Sequence, residues 1–373
     1  MILSTQLSQH DSIILKGGYY FKQQVFESML KDSFAKTSIN SLEECRRKHV
    51  TIDWSSTFYY DLGVLLLSLI MLHQLKRQEC DIAIKLPSPT QSNGLRVWRF
   101  LKTWKFFEAL NICVDHPANV FSDADISLLK DVPAYQSAHE IDRDGNVQQF
   151  FTGRLLEITN FLLASEKEPQ GGSSKVQDVS NYINRWKNKV IVLGLKNLCG
   201  WTSDVADSFV SQVIGEGLIN SLAHAIGSIL LVSMNVDKKN LILTVADNGK
   251  GIPDTLRTAL ASNPKLKGLI VKSDSELISY YTTPDMILNT APETILDSGL
   301  IKFSTQKGVS SDDSKAGLGL YYLKEFVISR YGELRIRSGS GLVDFTKDNE
   351  KSEDGYFRVN GTMLRIIVPR VTK

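Results

Sequence analysis

Three side chains able to hold a metal ion or a proton recur at spacings of four in Gly215-Glu-Gly-Leu-Ile-Asn-Ser-Leu-Ala-His-Ala225: Glu216, Asn220 and His224. Residues four apart share one face of an α-helix, so this spacing aligns a carboxylate, an amide and an imidazole. Burying such a row is costly unless the groups bind something. Asn220 offers a neutral carbonyl oxygen, which suits Mg²⁺ when phosphate oxygens and waters complete its octahedron. Glu216, one turn earlier, can hold a water or accept a proton. His224 either faces the phosphates or fills the core, and the sequence leaves both open.

A second group follows in the strand-like Leu241–Val245, which leads Asp247 into the turn Asp247-Asn-Gly-Lys-Gly251. Glycines at 249 and 251 let backbone approach a flat or anionic ligand closely. A carboxylate at such a turn can accept a hydrogen bond from a donor group on that ligand. Ile252 offers an apolar wall beside it. The plain alternative is an Asp-Asn-Gly hairpin turn. A third group comprises Thr305 and Lys307, then Gly317-Leu318-Gly319-Leu320 opening a helix that runs to Tyr331. Backbone N–H groups of a glycine-rich turn entering a helix form an anion site. Lys307 adds a mobile point charge for a terminal phosphate. Together the three groups ask for a nucleotide and a metal.

These stretches resemble the boxes of the GHKL ATPases, named for gyrase, the heat-shock chaperone, histidine kinases and MutL. EGLINSLAHA is similar to the N box, DNGKGIP to G1 and GLGL to G2. Residues 302–320 resemble the ATP lid with its G2 box, and GTMLRIIVP at 361–369 the last strand. The resemblance covers roughly the C-terminal half. It implies ATP and Mg²⁺ as cofactors, with the metal at Asn220, and a Bergerat-fold α/β sandwich with helices on one face of a mixed sheet. By the same resemblance Glu216 and Lys307 are catalytic. Asn220, His224, Asp247, Gly249, Gly251, Ile252, Thr305, Gly317, Leu318, Gly319 and Leu320 surround the nucleotide. Glutamate four residues before the asparagine resembles the hydrolytic members and the anti-sigma serine kinases more than typical histidine kinases. The gyrase and MutL branches continue into a transducer domain with a catalytic lysine. No such domain is expected here, and efficient stand-alone hydrolysis is not expected either.

The 373 residues provide for two domains, each with its own core. Apolar content of 42% with 23% charged is that of a globular protein. A net charge of +2 gives no strong nucleic-acid or membrane signal. Cys45, Cys80, Cys113 and Cys199 are far apart, which suggests neither a zinc site nor a disulfide framework and fits a cytoplasmic location. The N-terminus lacks the pattern of a signal peptide. The run Leu62–Leu72 is too short to span a bilayer and reads as a core helix.

In the N-terminal half the spacing predicts one or two helices over 17–45, a strand over 50–54 and a helix over 61–78 started by Asp61. A strand over 81–86 and a helix over 94–110 come next, so the order implies a small parallel α/β domain over 1–130. This stretch resembles a STAS domain, in which Asp53 and Asp61 match two aspartates. Leu62 stands where the phosphorylated serine would be, so that modification is not expected. A generic α/β interaction domain is the alternative. Residues 131–175 read as a connecting segment, with a strand over 150–161 opening the next domain. The ATP-binding domain spans 176–373, with an insertion at about 253–300.

The sequence thus predicts a Mg-ATP-binding protein, a slow ATPase acting as a nucleotide-dependent switch on the partner interactions of its N-terminal domain. A serine/threonine kinase of the anti-sigma type and a non-catalytic ATP sensor are the alternatives. A histidine kinase is disfavoured, because His139 lies in a polar, turn-rich segment and reads as a surface residue. The expected partners are ATP and a protein bound by the N-terminal domain, with a homodimer also open.

Overall fold

The computed structural model describes residues 12–37, 39, 41–115, 120–134, 140–141, 147–148, 154–160, 195–196, 199–215, 229–237, 239–263, 266, 269, 295–310 and 318–370. Two compact units emerge, one formed by 1–136 with Phe357–Val359 and the other by 137–356 with 360–373.

In the first unit, β1 (Ser12–Lys16), β3 (His49–Asp53) and β5 (Asp81–Lys85) form a parallel sheet with β3 in the middle. β2 (Tyr20–Phe21) and β4 (Tyr59–Tyr60) make a separate short parallel pair, and α1 spans Gln23–Ala35. The strand–helix–strand order expected from the sequence is therefore present as a parallel α/β unit. β1 is an addition to it. Ile13 and Leu15 are buried, but the apolar Ile14 between them is 58% exposed, which hides the alternation that marks a strand.

Helix α2 (Leu62–Arg77) starts where expected. Asp61 is its cap and accepts the N–H of Gly63 at 2.9 Å. Every residue from Leu62 to Leu72 is buried, so a helix apolar on all sides is a core element. Ser68 satisfies its hydroxyl by donating to the Val64 carbonyl at 2.8 Å. No helix among the described residues is long and apolar enough to cross a membrane.

The single helix expected over 94–110 is two, α3 (Ser92–Thr103) and α4 (Phe106–Val114). Lys105 between them has φ of 56°, and one left-handed residue ends the helical ladder. The apolar spacing runs on through Trp104 into α4, so periodicity alone masks the break. Helix α5 (Asp123–Asp131) comes next, capped by the Ser122 hydroxyl.

In the second unit the expected strand near 150–161 is β8 (Arg154–Asn160), after the two-residue pair β6 (Glu140–Ile141) and β7 (Val147–Gln148). β8 is one edge of a seven-stranded sheet with β9 (Leu230–Val236), β10 (Asn240–Asp247), β11 (Glu333–Gly339), β12 (Gly341–Phe345), β13 (Glu350–Glu353) and β14 (Val359–Pro369). The order across the sheet is β13-β12-β11-β14-β10-β9-β8. β10 is antiparallel to both β9 and β14. β11 and β12 form a hairpin in which Arg335 and Asp344 stand opposite and make two bonds, at 2.5 and 2.7 Å.

Alternate residues of five strands share one core with the helical layer: Val232 and Met234, Leu241 and Leu243, Leu334 and Ile336, Val343 and Phe345, Leu364 and Ile366. That layer comprises α6 (Ser203–Ser208), a π-helical stretch over Phe209–Gly215, and α9 (Gly319–Ser329). Phe209, Val213, Leu323, Phe326 and Val327 are its buried contributors. Two further helices, α7 (Ile252–Ser262) and α8 (Asp297–Ser304), close a smaller core of Leu256, Leu260, Leu300 and Phe303. Both lie at the ends of the expected insertion, most of which falls outside the described residues. The molecule is α/β throughout.

Candidate nucleotide site

Strand β10 carries the run Leu241-Ile-Leu-Thr-Val245 and ends on the acidic Asp247, where pairing stops. Asp247 is the last residue of the ladder, opposite Leu230 on β9 and Thr362 on β14. It is 5% exposed, and its Oδ1 accepts the N–H of Gly249 at 2.8 Å. That bond closes the turn back on the carboxylate. Asn248 fixes the other side. Its Oδ1 accepts the N–H of Ile229 at 3.1 Å, and its own N–H reaches the Ile229 carbonyl at 3.3 Å. The Asn248 Nδ2 is buried and makes no hydrogen bond among the described residues.

The turn leaves through Gly251, whose φ of 82° suits glycine, and enters α7 at Ile252. The N–H of Ile252 donates to the Ser338 hydroxyl at 3.0 Å. That hydroxyl donates to the Gly361 carbonyl at 2.9 Å and lies 3.0 Å from Thr362 Oγ1. Gly361 has φ of 101°, and a Cβ there would overlap the Asp247 carbonyl group. The turn is therefore braced from β11 and β14 at once. Ser338, Gly361 and Thr362 are not among the residues that the sequence singles out. The Gly-Thr pair opening 361–369 is the signal that points to them.

Helix α8 ends at Ser304 and the chain continues through Thr305 and Lys307. Thr305 is 1% exposed and its hydroxyl donates to the Lys302 carbonyl at 2.8 Å, so its side chain serves the helix end. Lys307 is exposed, and Gly308 has φ of 86° in open space. Leu318 precedes α9, Gly319 is its first residue, and Leu320 packs on the main core. Ile252 packs on both cores. Glu216, Asn220 and His224 lie outside the described residues, as do 311–317 of the lid-like stretch, Gly317 among them; the π-helical turn Phe209–Gly215 ends immediately before Glu216. Among the described residues no three or more His, Cys, Asp or Glu side chains gather as a metal group.

Helix α8 is fixed by buried charge. The Asp297 carboxylate accepts Arg257 Nη2 at 2.5 Å through Oδ1, and the N–H and hydroxyl of Ser340 at 2.6 and 2.8 Å through Oδ2. Burial alone would raise its pKa. The bonds from Ser340 and the Arg257 guanidinium outweigh burial and hold the carboxyl below the usual aspartate value. Next to it, Ser298 donates its N–H and its hydroxyl to Asp354. Lys302 Nζ pairs with Glu350 at 3.0 Å.

Residues 206–370 match the family model of histidine kinase-, DNA gyrase B- and HSP90-like ATPases. Residues 206–370 are thus a GHKL-type ATPase domain in the C-terminal half of the chain. The match starts after β8, so one edge strand of the sheet comes from outside the matched span. No curated protein matches the chain.

Proposed function

Starting from a histidine kinase-, gyrase B- and HSP90-like ATPase domain, we propose that the chain is a Mg-ATP-dependent switch with slow hydrolysis, whose nucleotide state governs the protein partner of its N-terminal unit. The observation that carries the reading is Asp247, a buried carboxylate at the end of a central strand, in a turn braced from two other strands. Its Oδ1 accepts the Gly249 N–H, and a carboxylate has the capacity to accept further hydrogen bonds, so the exocyclic amine of adenine is a fitting donor to it. Gly249 and Gly251 leave the base backbone to lie against, with Ile252 as its wall.

The N-terminus of α9, entered through Leu318, Gly319 and Leu320, presents N–H groups and the helix dipole to the phosphates. Lys307 is exposed and can supply a cation to the γ-phosphate that ADP lacks. Asn220 would hold Mg²⁺, and His224 and Gly317 complete the phosphate side. The metal, when bound, neutralises phosphate charge. Glu216 orients a water and takes its proton. A contact made only with the γ-phosphate gives the two nucleotide states different free energies, which is what a switch requires.

The test tracks free phosphate and protein-bound label together, using γ-labelled ATP and Mg²⁺ with Asn220→Ala as control. Free phosphate without labelled protein, lost in Glu216→Gln while ATP still binds, is the expected result. Acid-stable label on protein would make the chain a serine/threonine kinase. Binding with neither product would make it a sensor.

A further inference from the structure

Helix α8 ends three residues before Lys307, so its placement sets where that ammonium group starts from. Its N-terminal residue, Asp297, joins three elements. Arg257 reaches it from α7, the helix that begins right after Gly251. Ser340 reaches it from the turn between β11 and β12, two residues beyond the Ser338 that holds the Ile252 N–H. The Asp247 turn and α8 therefore lean on the same two supports. At Gly339, φ is 63°, and an added Cβ would overlap the Asp297 carboxylate, so backbone and carboxylate fit closely there.

Apolar contacts already hold α7 to α8 through Leu256, Leu260, Leu300 and Phe303. Such contacts are non-directional and supply adhesion, whereas charge-assisted hydrogen bonds fix one geometry. We propose that Asp297, through Arg257 and Ser340, is a positioning residue that sets Lys307 relative to the Asp247 turn and so sets how strongly the site prefers ATP to ADP. The proposal rests on the reading of Lys307 as the γ-phosphate contact. Ser298 with Asp354, and Lys302 with Glu350, hold the same helix to β13 and the residue after it, which makes α8 a fixed mount.

The experiment titrates MgATP and MgADP into the full chain by calorimetry, for the wild type, Lys307→Ala, Asp297→Asn and Arg257→Met, with Ser340→Ala as the mildest change. Lys307→Ala, Asp297→Asn and Arg257→Met are each expected to lower the ATP-to-ADP affinity ratio about tenfold, while ADP affinity moves less than about twofold. Ser340→Ala shifts the ratio less, in the same direction, and covers the case in which the charge variants do not fold. Combining Lys307→Ala with Asp297→Asn adds no further drop, because the second change acts through the first residue. A folded Asp297→Asn or Ser340→Ala protein that keeps the wild-type ratio and shows only a lower Tm overturns the proposal. A wild type that binds neither nucleotide, or whose ratio ignores Lys307→Ala, overturns instead the reading on which it rests.

Discussion

Gly361 and Asp247 are in backbone contact across neighbouring strands: a Cβ at 361 would overlap the Asp247 carbonyl group, and the glycine has φ of 101°. Position 361 is thus a condition for the Asp247 turn, although it lies far along the chain. Gly361→Ala is expected to cost about 1–3 kcal/mol in stability and to weaken nucleotide binding as the turn is pushed out. Thermal melts and ATP titration of the same preparation check both.

Asp247→Asn keeps an oxygen able to accept the Gly249 N–H, so the fold is expected to survive. The amide replaces a carboxylate where the adenine amine would donate. The expected loss in ATP affinity is about 10- to 100-fold, as for a charged hydrogen bond, and the preference for ATP over GTP shrinks with it. Unchanged ATP affinity and base selectivity in a folded variant would remove Asp247 from the site.

The lowered pKa of Asp297 has a pH signature. Unfolded, an aspartate titrates at about 3.9; folded, the bonds from Ser340 and Arg257 hold this one lower, against the opposing effect of burial. The carboxylate therefore contributes stability in full above the unfolded pKa, and loses it as pH falls through the folded pKa. The Tm gap between wild type and Asp297→Asn should be widest near neutrality and narrow below about pH 4. A gap that stays constant down to the acid limit would show that the charge plays no part.

All four thiols are free and buried. Burial pushes Cys45 and Cys199 up to about 12 and raises Cys113 further, and Cys80 is raised in the same direction. At pH 8 the native protein should be nearly inert to a thiol-disulfide reagent, with four equivalents released on denaturation. Rapid reaction of one native thiol would show that its surroundings open.

The Asp247 turn is legible in the sequence because its requirements are local: a strand that turns polar at its end, an acceptor, and glycines where backbone must bend. Its braces are not, because Ser338 and Thr362 meet Ile252 and Asp247 only through sheet order, across a sequence separation of 86 residues in the Ser338–Ile252 bond. Thr305 has a task that the sequence does not show. It is buried beside Ile301 and Phe303, and its hydroxyl closes the end of the helix by donating to the Lys302 carbonyl. The break at Lys105 is hidden for a similar reason, since hydrophobic spacing reports faces and not backbone handedness.

The free edge at β13 has a consequence for the protein as a solute. An edge strand presents unpaired N–H and C=O groups to any passing extended chain, and a seven-stranded sheet is a large template. Here the edge is only Glu350-Lys351-Ser352-Glu353, with all four side chains exposed. A joining strand would have to bring its own backbone alongside three charged side chains on a segment too short to offer many bonds. Among the described residues the sheet ends at this edge, and its length and charge disfavour edge-to-edge pairing there.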